Sequence, residues 1–300
     1  MKIGQFLLVI ILSAAVAWGF ITWKTGAQRN EAASTMATKE SAYERVMRTG
    51  TLRCGYILYP KAIERDLNTG ALSGMVYDVM EEVGKQLSLK IEWTEEAGFA
   101  SIFDGLKTSR YDVVCFTFSQ TPGRARVTEF TAPIIFYPYF LYARADDNRF
   151  DNAYEKINDP AVKVAILEGE LSQTVKAEDF PKALAVYMTS LADINQVLLQ
   201  VSMGKADIAM TEPSSSEEFL LKNPGKLKRV PGPSLRMQAT GVDVAVGEEA
   251  LKSLLDTTIR ALHATGFIER VVNKYTTSPD QFYYPAKPWG ESSKPLQGAK

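Results

Sequence analysis

The chain has 300 residues, 34 basic and 35 acidic side chains, and a hydrophobic fraction of 46%, which is typical of a globular protein of about two domains. Because the charges nearly cancel, no long-range field attracts nucleic acid, and we expect no nucleic-acid partner. Two cysteines, Cys54 and Cys115, and a single histidine, His263, exclude a larger disulfide framework and most histidine-based sites. We therefore expect no metal and no cofactor.

The first predicted element is an apolar helix, residues 6–23, which follows Lys2. It approaches the roughly 20 residues that span a bilayer, and Ala-Val-Ala at residues 15–17 offers a small-residue cleavage pattern. Residues 1–24 are therefore predicted to be a signal peptide or a retained membrane anchor. Either alternative exports the rest of the chain. Residues 25–41, rich in Ala, Ser, Thr and charge, are predicted to be a flexible linker.

Strands and helices alternate in the region that follows the linker. Residues 52–58 and 89–93 have strand patterns, residues 74–87 between them have the spacing of an amphipathic helix, and residues 99–107 form a second predicted helix. This order predicts a parallel sheet covered by helices. The residues of the first helix that we expect to face inward are Val76, Met80, Val83 and Leu87.

A polar site is predicted at the end of the next strand. The apolar run 113–118 predicts a buried strand, and Pro122 suits the first position of a helix, which places Arg124 in a first helical turn. Thr117 and Ser119 add hydroxyl groups at the strand end, where open α/β sheets bind their ligands. Because a guanidinium fits a carboxylate with two hydrogen bonds, the segment predicts a site for a small carboxylate.

The following region repeats this arrangement in part. Residues 162–167 and 204–210 are predicted strands, and residues 191–201 a helix between them. A further strand is predicted over residues 242–246 and a helix over residues 248–264. The residues of helix 191–201 that we expect to face inward are Ile194, Val197, Leu198 and Val201.

Three motifs resemble one protein family. They are Gly-Thr-Leu-Arg-Cys-Gly-Tyr at 50–56, Gly-Met-Val-Tyr-Asp at 74–78 and Thr-Pro-Gly-Arg-Ala-Arg at 121–126. Together they resemble the polar-amino-acid type of periplasmic solute-binding protein, family 3, over roughly residues 42–276. The resemblance implies an α/β fold with two lobes, the type II periplasmic-binding-protein fold, with crossovers near Arg144 and Gln238. The implied domains are lobe 1, residues 42–143 and 239–277; lobe 2, residues 144–238; and a disordered tail, residues 278–300.

The resemblance also implies ligand contacts. Arg124, with the hydroxyls named above, would bind a carboxylate. Glu212 stands where the similar proteins commonly have an Asp that binds the ligand's α-ammonium. Tyr59 and Phe99 match positions where the family stacks rings against the ligand side chain. The alternatives are a solvated or ion-paired Glu212 and two aromatic residues that serve only the core.

One turn, Gly-Glu-Leu-Ser at 169–172, departs from the family's Gly-Thr-Thr-like turn. Leu171 offers no hydroxyl, but backbone donors survive the change, so Gly169 and Ser172 stay as predicted ligand contacts. Glu170 would either point to solvent or select a basic ligand.

The two cysteines lie in predicted strands, where a free buried cysteine behaves as a small apolar residue. We expect them to be unpaired; the alternative is a bridge between neighbouring strands, because the exported compartment is oxidising. His263 is expected to be exposed or a charge at a helix end.

The leading functional interpretation is a monomeric, non-enzymatic protein of the periplasm, free or tethered by residues 6–23. It would close two lobes around an amino acid and deliver it to an ABC transporter permease of the inner membrane. One alternative is a periplasmic dehydratase on the same fold, with Glu212 as general acid or base. The other is an accessory or sensor domain that binds the same class of ligand.

Overall fold

The computed structural model describes residues 40–278 and 280–285. The predicted signal peptide or anchor, most of the predicted linker, and the predicted tail from residue 286 onward lie outside the described residues. In the described part, no helix combines the length and hydropathy that crossing a membrane requires. All elements below belong to one unit that begins at Ala42.

This unit contains a ten-stranded sheet and a separate two-stranded hairpin. The sheet contains β1 (Thr51–Tyr56), β4 (Lys90–Glu96), β5 (Val113–Ser119), β6 (Glu129–Phe130), β7 (Ile135–Arg144), β8 (Lys163–Leu167), β9 (Leu184–Met188), β10 (Ile208–Thr211), β11 (Leu227–Arg229) and β12 (Arg236–Val244), and the hairpin contains β2 (Glu64–Arg65) and β3 (Leu72–Ser73).

Strand β7 connects two groups of strands. It pairs antiparallel with β12 on one side and with β10 on the other. We call β4, β1, β5 and β12 the first strand group, and β10, β8 and β9 the second strand group. Strand β1 pairs in parallel with β4 and β5, and β8 pairs in parallel with β9 and β10. Of the two predicted crossover positions, Arg144 ends β7 and Gln238 lies within β12.

Helices flank the sheet, and those predicted from apolar spacing bury the expected faces. Val76, Met80 and Val83 are buried, and Leu87 is half-buried. All four inward positions of the helix predicted at 191–201 are buried as well. The helices of the described residues are α1 (Ala42–Thr49), α2 (Met75–Leu87), α3 (Ile102–Lys107), α4 (Leu171–Asp179), α5 (Ile194–Ser202), α6 (Pro213–Lys222), α7 (Glu249–Ala264) and α8 (Phe267–Tyr275), with 3₁₀ turns at Arg124–Arg126 and Tyr154–Ile157.

Cys54 and Cys115 form a disulfide, with their Cα atoms 5.3 Å apart. The prediction of two free cysteines is therefore wrong, and the bridged alternative is correct. The reason is the register of the sheet. Strands β1 and β5 are neighbours, and Cys54 lies opposite Val113, so Cys115 is within reach.

Three other predictions need correction. The strand predicted at 242–246 is the end of the longer β12, whose earlier residues pair with β7. His263 lies in the last turn of α7 but is half-buried, with Nε2 3.0 Å from the carbonyl oxygen of Pro133, and burial lowers its pKa. The predicted tail starts too early, because Gln281 is fully buried and the backbone of Tyr283 pairs with β7.

Candidate functional site

A narrow cleft is lined by side chains on or after strands of both groups. Three strand ends supply its charged residues: β5 leads to Arg124, β8 to Glu170 and β10 to Glu212. Six of the eight predicted contact residues line the cleft, namely Tyr59, Phe99, Thr117, Ser119, Arg124 and Glu212.

The Arg124 side chain reaches from the first strand group to the second. Arg124 is the first residue of a 3₁₀ turn. The helical turn was predicted to start two residues earlier, at Pro122. The guanidinium lies 4.6 Å from the centre of the Phe118 ring, a cation–π contact. Nη1 donates to the carbonyl oxygen of Ser119 at 3.2 Å, and Nη2 donates to that of Gly169 at 3.0 Å. Arg124 thus touches backbone on both sides of the cleft.

Gly169 permits this close approach. Its φ of 82° lies in the left-handed region, and a Cβ atom added there would lie 2.9 Å from the backbone nitrogen of Ala100. Its own N–H donates to Oε1 of Gln173 at 2.9 Å. Gly169 therefore lies where the two strand groups meet, and in this structure it offers Arg124 an acceptor.

Ser172 lies behind the cleft wall and is 2% exposed. Its N–H donates to Oε2 of Glu170 at 2.7 Å, and its hydroxyl accepts from the N–H of Leu167 at 3.4 Å. It is not among the lining residues, and its contacts orient Glu170.

The hydroxyls of the first side meet a tyrosine that the sequence did not indicate. Thr117 and Ser119 are both buried, and Oγ of Ser119 lies 2.6 Å from the phenol oxygen of Tyr137. Tyr137 lines the cleft, and burial, together with the charge of Glu212, raises its pKa. Residues of β7 were not predicted as a strand, so no sequence signal gave the direction of this side chain.

Glu212 is buried, with 5% of its surface exposed, and it is the N-cap residue of α6. Its Oε1 accepts from the hydroxyl of Ser215, and its Oε2 accepts from the hydroxyl of Thr211 at 3.2 Å. The alternative of a solvated loop residue is therefore wrong. The two hydroxyls fix the carboxylate at the wall of the cleft.

Glu170 occupies the equivalent place at the start of α4, where its carboxylate caps the helix. It is 7% exposed, which rules out the solvent-facing alternative. Oε2 accepts from the N–H of Ser172 at 2.7 Å and from the hydroxyl of Tyr139 at 2.9 Å. Burial raises the pKa of Glu170, and the nearby charge of Glu212 adds to this rise. Among the described lining residues, two carboxylates face a single cation, Arg124.

Aromatic rings form the apolar wall of the first side. The ring of Tyr59 meets those of Phe99 and Phe116 edge to face, with centroids 5.9 Å and 5.6 Å away. Phe99 also meets Phe118 at 5.8 Å. Burial raises the pKa of Tyr59, and the charges of Glu212 and Glu170 contribute. Tyr59 and Phe99 therefore pack together and line the cleft at once.

Sequence reasoning missed five further lining residues besides those of β5 and β7, one of which is Pro60. Met75 and Ser214 belong to helices that begin at the cleft, and Ala62 belongs to the loop after β1. Phe282 comes from the predicted tail, where composition gave no structural signal.

A model of the bacterial extracellular solute-binding proteins, family 3, matches residues 59–278. The amino-acid-binding protein AabA of Dichelobacter nodosus is 23% identical over 208 residues, 69% of this chain and 80% of that protein. The ancestral amino acid-binding protein AncCDT-1, described as a precursor of cyclohexadienyl dehydratase, is 22% identical with a TM-score of 0.68, covering 78% of this chain and 99% of that one.

A histidine kinase sensor domain with similarity to periplasmic binding proteins has the same TM-score of 0.68 and is 22% identical, covering 78% of this chain and 98% of its own. At this level of identity the two structures show the fold alone. The predicted α/β fold of the type II class is therefore confirmed, while the apolar helix predicted before it lies outside the described residues.

Proposed function

Because this chain belongs to family 3 of the bacterial extracellular solute-binding proteins, we propose that it binds an amino acid outside the cytoplasm by closing two lobes around it. The observation that carries the proposal is the set of opposed charges in the cleft, with Arg124 on one side and Glu170 and Glu212 on the other. A free amino acid carries both complementary charges. A ligand that contacts both sides stabilises the closed form in proportion to its preference for it.

Arg124 would hold the α-carboxylate. A guanidinium has five N–H donors, and the two hydrogen bonds to the carbonyl oxygens of Ser119 and Gly169 leave others for a ligand. The hydroxyls of Thr117 and Ser119 lie in the same wall. Glu212 would pair with the α-ammonium, because its buried carboxylate faces the same cleft.

Glu170 points to an amino acid with a basic side chain. The described lining residues carry one positive and two negative charges, so a zwitterion leaves one buried carboxylate without a cation. A second ammonium or a guanidinium on the ligand would neutralise it. The aromatic wall of Tyr59 and Phe99 offers ring faces and edges beside which such a side chain can lie.

We further propose that the protein acts as a monomer in the periplasm and delivers the bound amino acid to an ABC transporter permease. The amino acid undergoes no chemical reaction in the cleft. The curated relative AabA is described as an amino-acid-binding protein, which supports binding rather than catalysis. A second candidate is a sensor domain, favoured by the likeness to the histidine kinase sensor domain and by the apolar segment 6–23.

Calorimetry on the purified full chain with the common L-amino acids and L-ornithine tests the proposal. We expect the tightest binding for lysine, arginine or ornithine, and chromatography should recover the ligand unchanged. The absence of heat and of any thermal shift with every compound would overturn it. Tight binding of a neutral amino acid, with no binding of the basic ones, would overturn the role of Glu170.

A further inference from the structure

The segment that follows α8 returns to the cleft. We call residues 276–278 and 280–285 the C-terminal clasp. The N–H of Tyr283 donates to the carbonyl oxygen of Phe136 at 2.6 Å, and the N–H of Phe136 donates back at 2.7 Å. Gln281, two residues earlier, is fully buried. The clasp therefore pairs with β7, the strand that connects the two strand groups.

Glu217 of α6 anchors the clasp to the second strand group. Its carboxylate accepts from the hydroxyl of Thr277 at 2.5 Å, from the hydroxyl of Ser278 and from the side-chain amide of Gln281. The Gln281 amide oxygen in turn accepts from the N–H of Thr277 at 2.7 Å. These contacts gather three clasp residues around one carboxylate.

The same network reaches the first strand group through Lys61, in the loop after β1. Its Nζ donates to the hydroxyl of Thr277 at 2.7 Å and lies 3.6 Å from Oε2 of Glu217. Asp280 adds an ion pair with Arg229 of β11. The clasp is thus bound to both halves of the molecule at the edge of the cleft.

Phe282 lies between the two attachment points and lines the cleft, as Tyr59 and Met75 do. Its side chain also packs against the larger apolar core. The neighbour on one side, Gln281, is fixed by Glu217, and the neighbour on the other, Tyr283, is fixed by β7. The position of the ring in the cleft is therefore set from outside the cleft.

We propose that Phe282 is a specificity-determining residue that limits the length of the ligand side chain, and that Glu217 is the positioning residue that keeps it in the cleft wall. This inference rests on the proposed function, because it concerns which amino acid fits. It assigns a role in recognition to a segment that contributes neither charge nor hydroxyl to the lining.

A series of ligands with equal charge and decreasing length tests the role of Phe282: L-arginine, L-lysine, L-ornithine and L-2,4-diaminobutyrate. In the full chain, Phe282→Ala should raise the affinity for arginine relative to diaminobutyrate by about tenfold, which corresponds to about 1.4 kcal/mol. The matched control is Tyr283→Ala, since that residue is 43% exposed and does not line the cleft. An unchanged ratio in Phe282→Ala, or an equal change in both variants, would overturn the proposal.

Hydrogen exchange without ligand tests the role of Glu217. Glu217→Gln should speed exchange at the amides of Phe136 and Tyr283 and shift the affinity ratio in the same direction as Phe282→Ala. Its control is Glu218→Gln, the next residue, which pairs with Lys222 on the surface. Unchanged exchange at those amides overturns the positioning role.

The two failures are distinguishable. If the unsubstituted chain binds none of the four ligands, the proposed preference for a basic amino acid fails, and if it binds no amino acid at all, the proposed function fails; in both cases faster exchange in Glu217→Gln still supports the anchoring of the clasp. If the ligands bind and the ratio stays constant in all variants, the proposed function stands and the inference about Phe282 fails.

Discussion

The two sides of the cleft hold their charges with opposite kinds of partner. On the first side, the Arg124 guanidinium donates to backbone carbonyl oxygens and rests on the Phe118 ring. On the second side, the carboxylates of Glu170 and Glu212 stand at helix N-termini and accept from N–H and hydroxyl donors. A helix N-terminus favours negative charge, so local donors on the second side partly offset the cost of burying these carboxylates.

The two sides also differ in whether the hydrogen bonds of their charged side chains depend on closure of the lobes. The contacts of Glu170, and those of Glu212 with Thr211 and Ser215, come from residues close in sequence or from β7. From the first side, only the Tyr59 phenol among the described contacts adds a hydrogen bond to Glu212. Arg124, in contrast, takes one of its acceptors, Gly169, from across the cleft. We infer that the carboxylates keep their positions when the lobes separate, whereas the guanidinium loses a partner. Closure then depends on Arg124 and on the ligand together.

Removing the guanidinium should have the largest effect on binding. Arg124→Ala leaves two buried carboxylates facing a cleft without its cation, and we expect lysine to bind about 100-fold more weakly, because two hydrogen bonds to a charged group contribute about 3 kcal/mol. Calorimetry measures the loss. Arg126→Ala is the control, since Arg126 is exposed in the same 3₁₀ turn. Equal losses in both variants would contradict the assignment.

Neutralising Glu212 tests the second side. Glu212→Gln should weaken lysine binding roughly 30-fold, or about 2 kcal/mol, because the α-ammonium loses its charged partner. The deaminated analogue 6-aminohexanoate keeps the carboxylate and the distal ammonium, so its affinity should change much less. If both compounds lose affinity equally in competition assays, Glu212 shapes the lobe and does not pair with the α-ammonium.

The contact between the two sides can be broken at Gly169. In Gly169→Ala the new Cβ would meet the backbone of Phe99 and Ala100 at 2.9 Å, which should cost about 1.5 kcal/mol of stability through overpacking. Gly225→Ala is the matched control, because its φ of 72° is similar and nothing lies within 4 Å of its added Cβ. Urea unfolding gives the excess loss, and small-angle scattering should show a more open ligand-free form for Gly169→Ala alone. Equal stability in the two variants would refute the close contact.

The polar residues of the first side were predictable because their signal is local. Arg124, Thr117 and Ser119 belong to one strand end, and the strand was evident from its apolar run. Glu212 followed from the family resemblance, which places an acidic residue at the end of a strand in the second half. Strand pairing was not evident, and this explains the error at Cys54 and Cys115, since the register of β1 against β5 depends on contacts remote in sequence.

Two cleft residues could not be found in this way for a related reason. Tyr137 lines the cleft from β7, which is paired on both sides, and the apolar run of this strand has no period that separates its two faces. Phe282 follows a polar segment that resembles a tail, and its place depends on Glu217, which lies 64 residues from Gln281 in the sequence. Composition describes the segment itself and not the carboxylate that binds it.

The smallest expected effect concerns Glu170. With Glu212 it gives the second side two acidic residues, whereas the first side has one basic residue, Arg124. Burial raises its pKa in the folded protein above the unfolded value. The folded chain therefore holds the proton more tightly, so the stability contributed by this group is present below the unfolded pKa and is lost as pH rises through the folded pKa. Wherever it is ionised, the Glu170 carboxylate therefore destabilises the ligand-free protein relative to its protonated form.

Glu170→Gln keeps an oxygen for the Ser172 N–H and the Tyr139 hydroxyl while removing the charge. We expect it to stabilise the ligand-free protein at neutral pH by about 1 kcal/mol, the low end for buried polar groups, and to flatten the fall in stability with rising pH.

Lysine should bind the unsubstituted chain more weakly as pH falls through the raised pKa of Glu170, because the proton competes with the distal ammonium of lysine for the carboxylate. In the variant this dependence should vanish, and norleucine, which lacks that ammonium, should bind both chains alike. Urea titrations and calorimetry at neutral and mildly acidic pH measure both effects. A variant that is less stable at neutral pH, or that retains the pH dependence for lysine, would show that the Glu170 carboxylate is already neutralised by its own partners and that the cleft does not select a cation there.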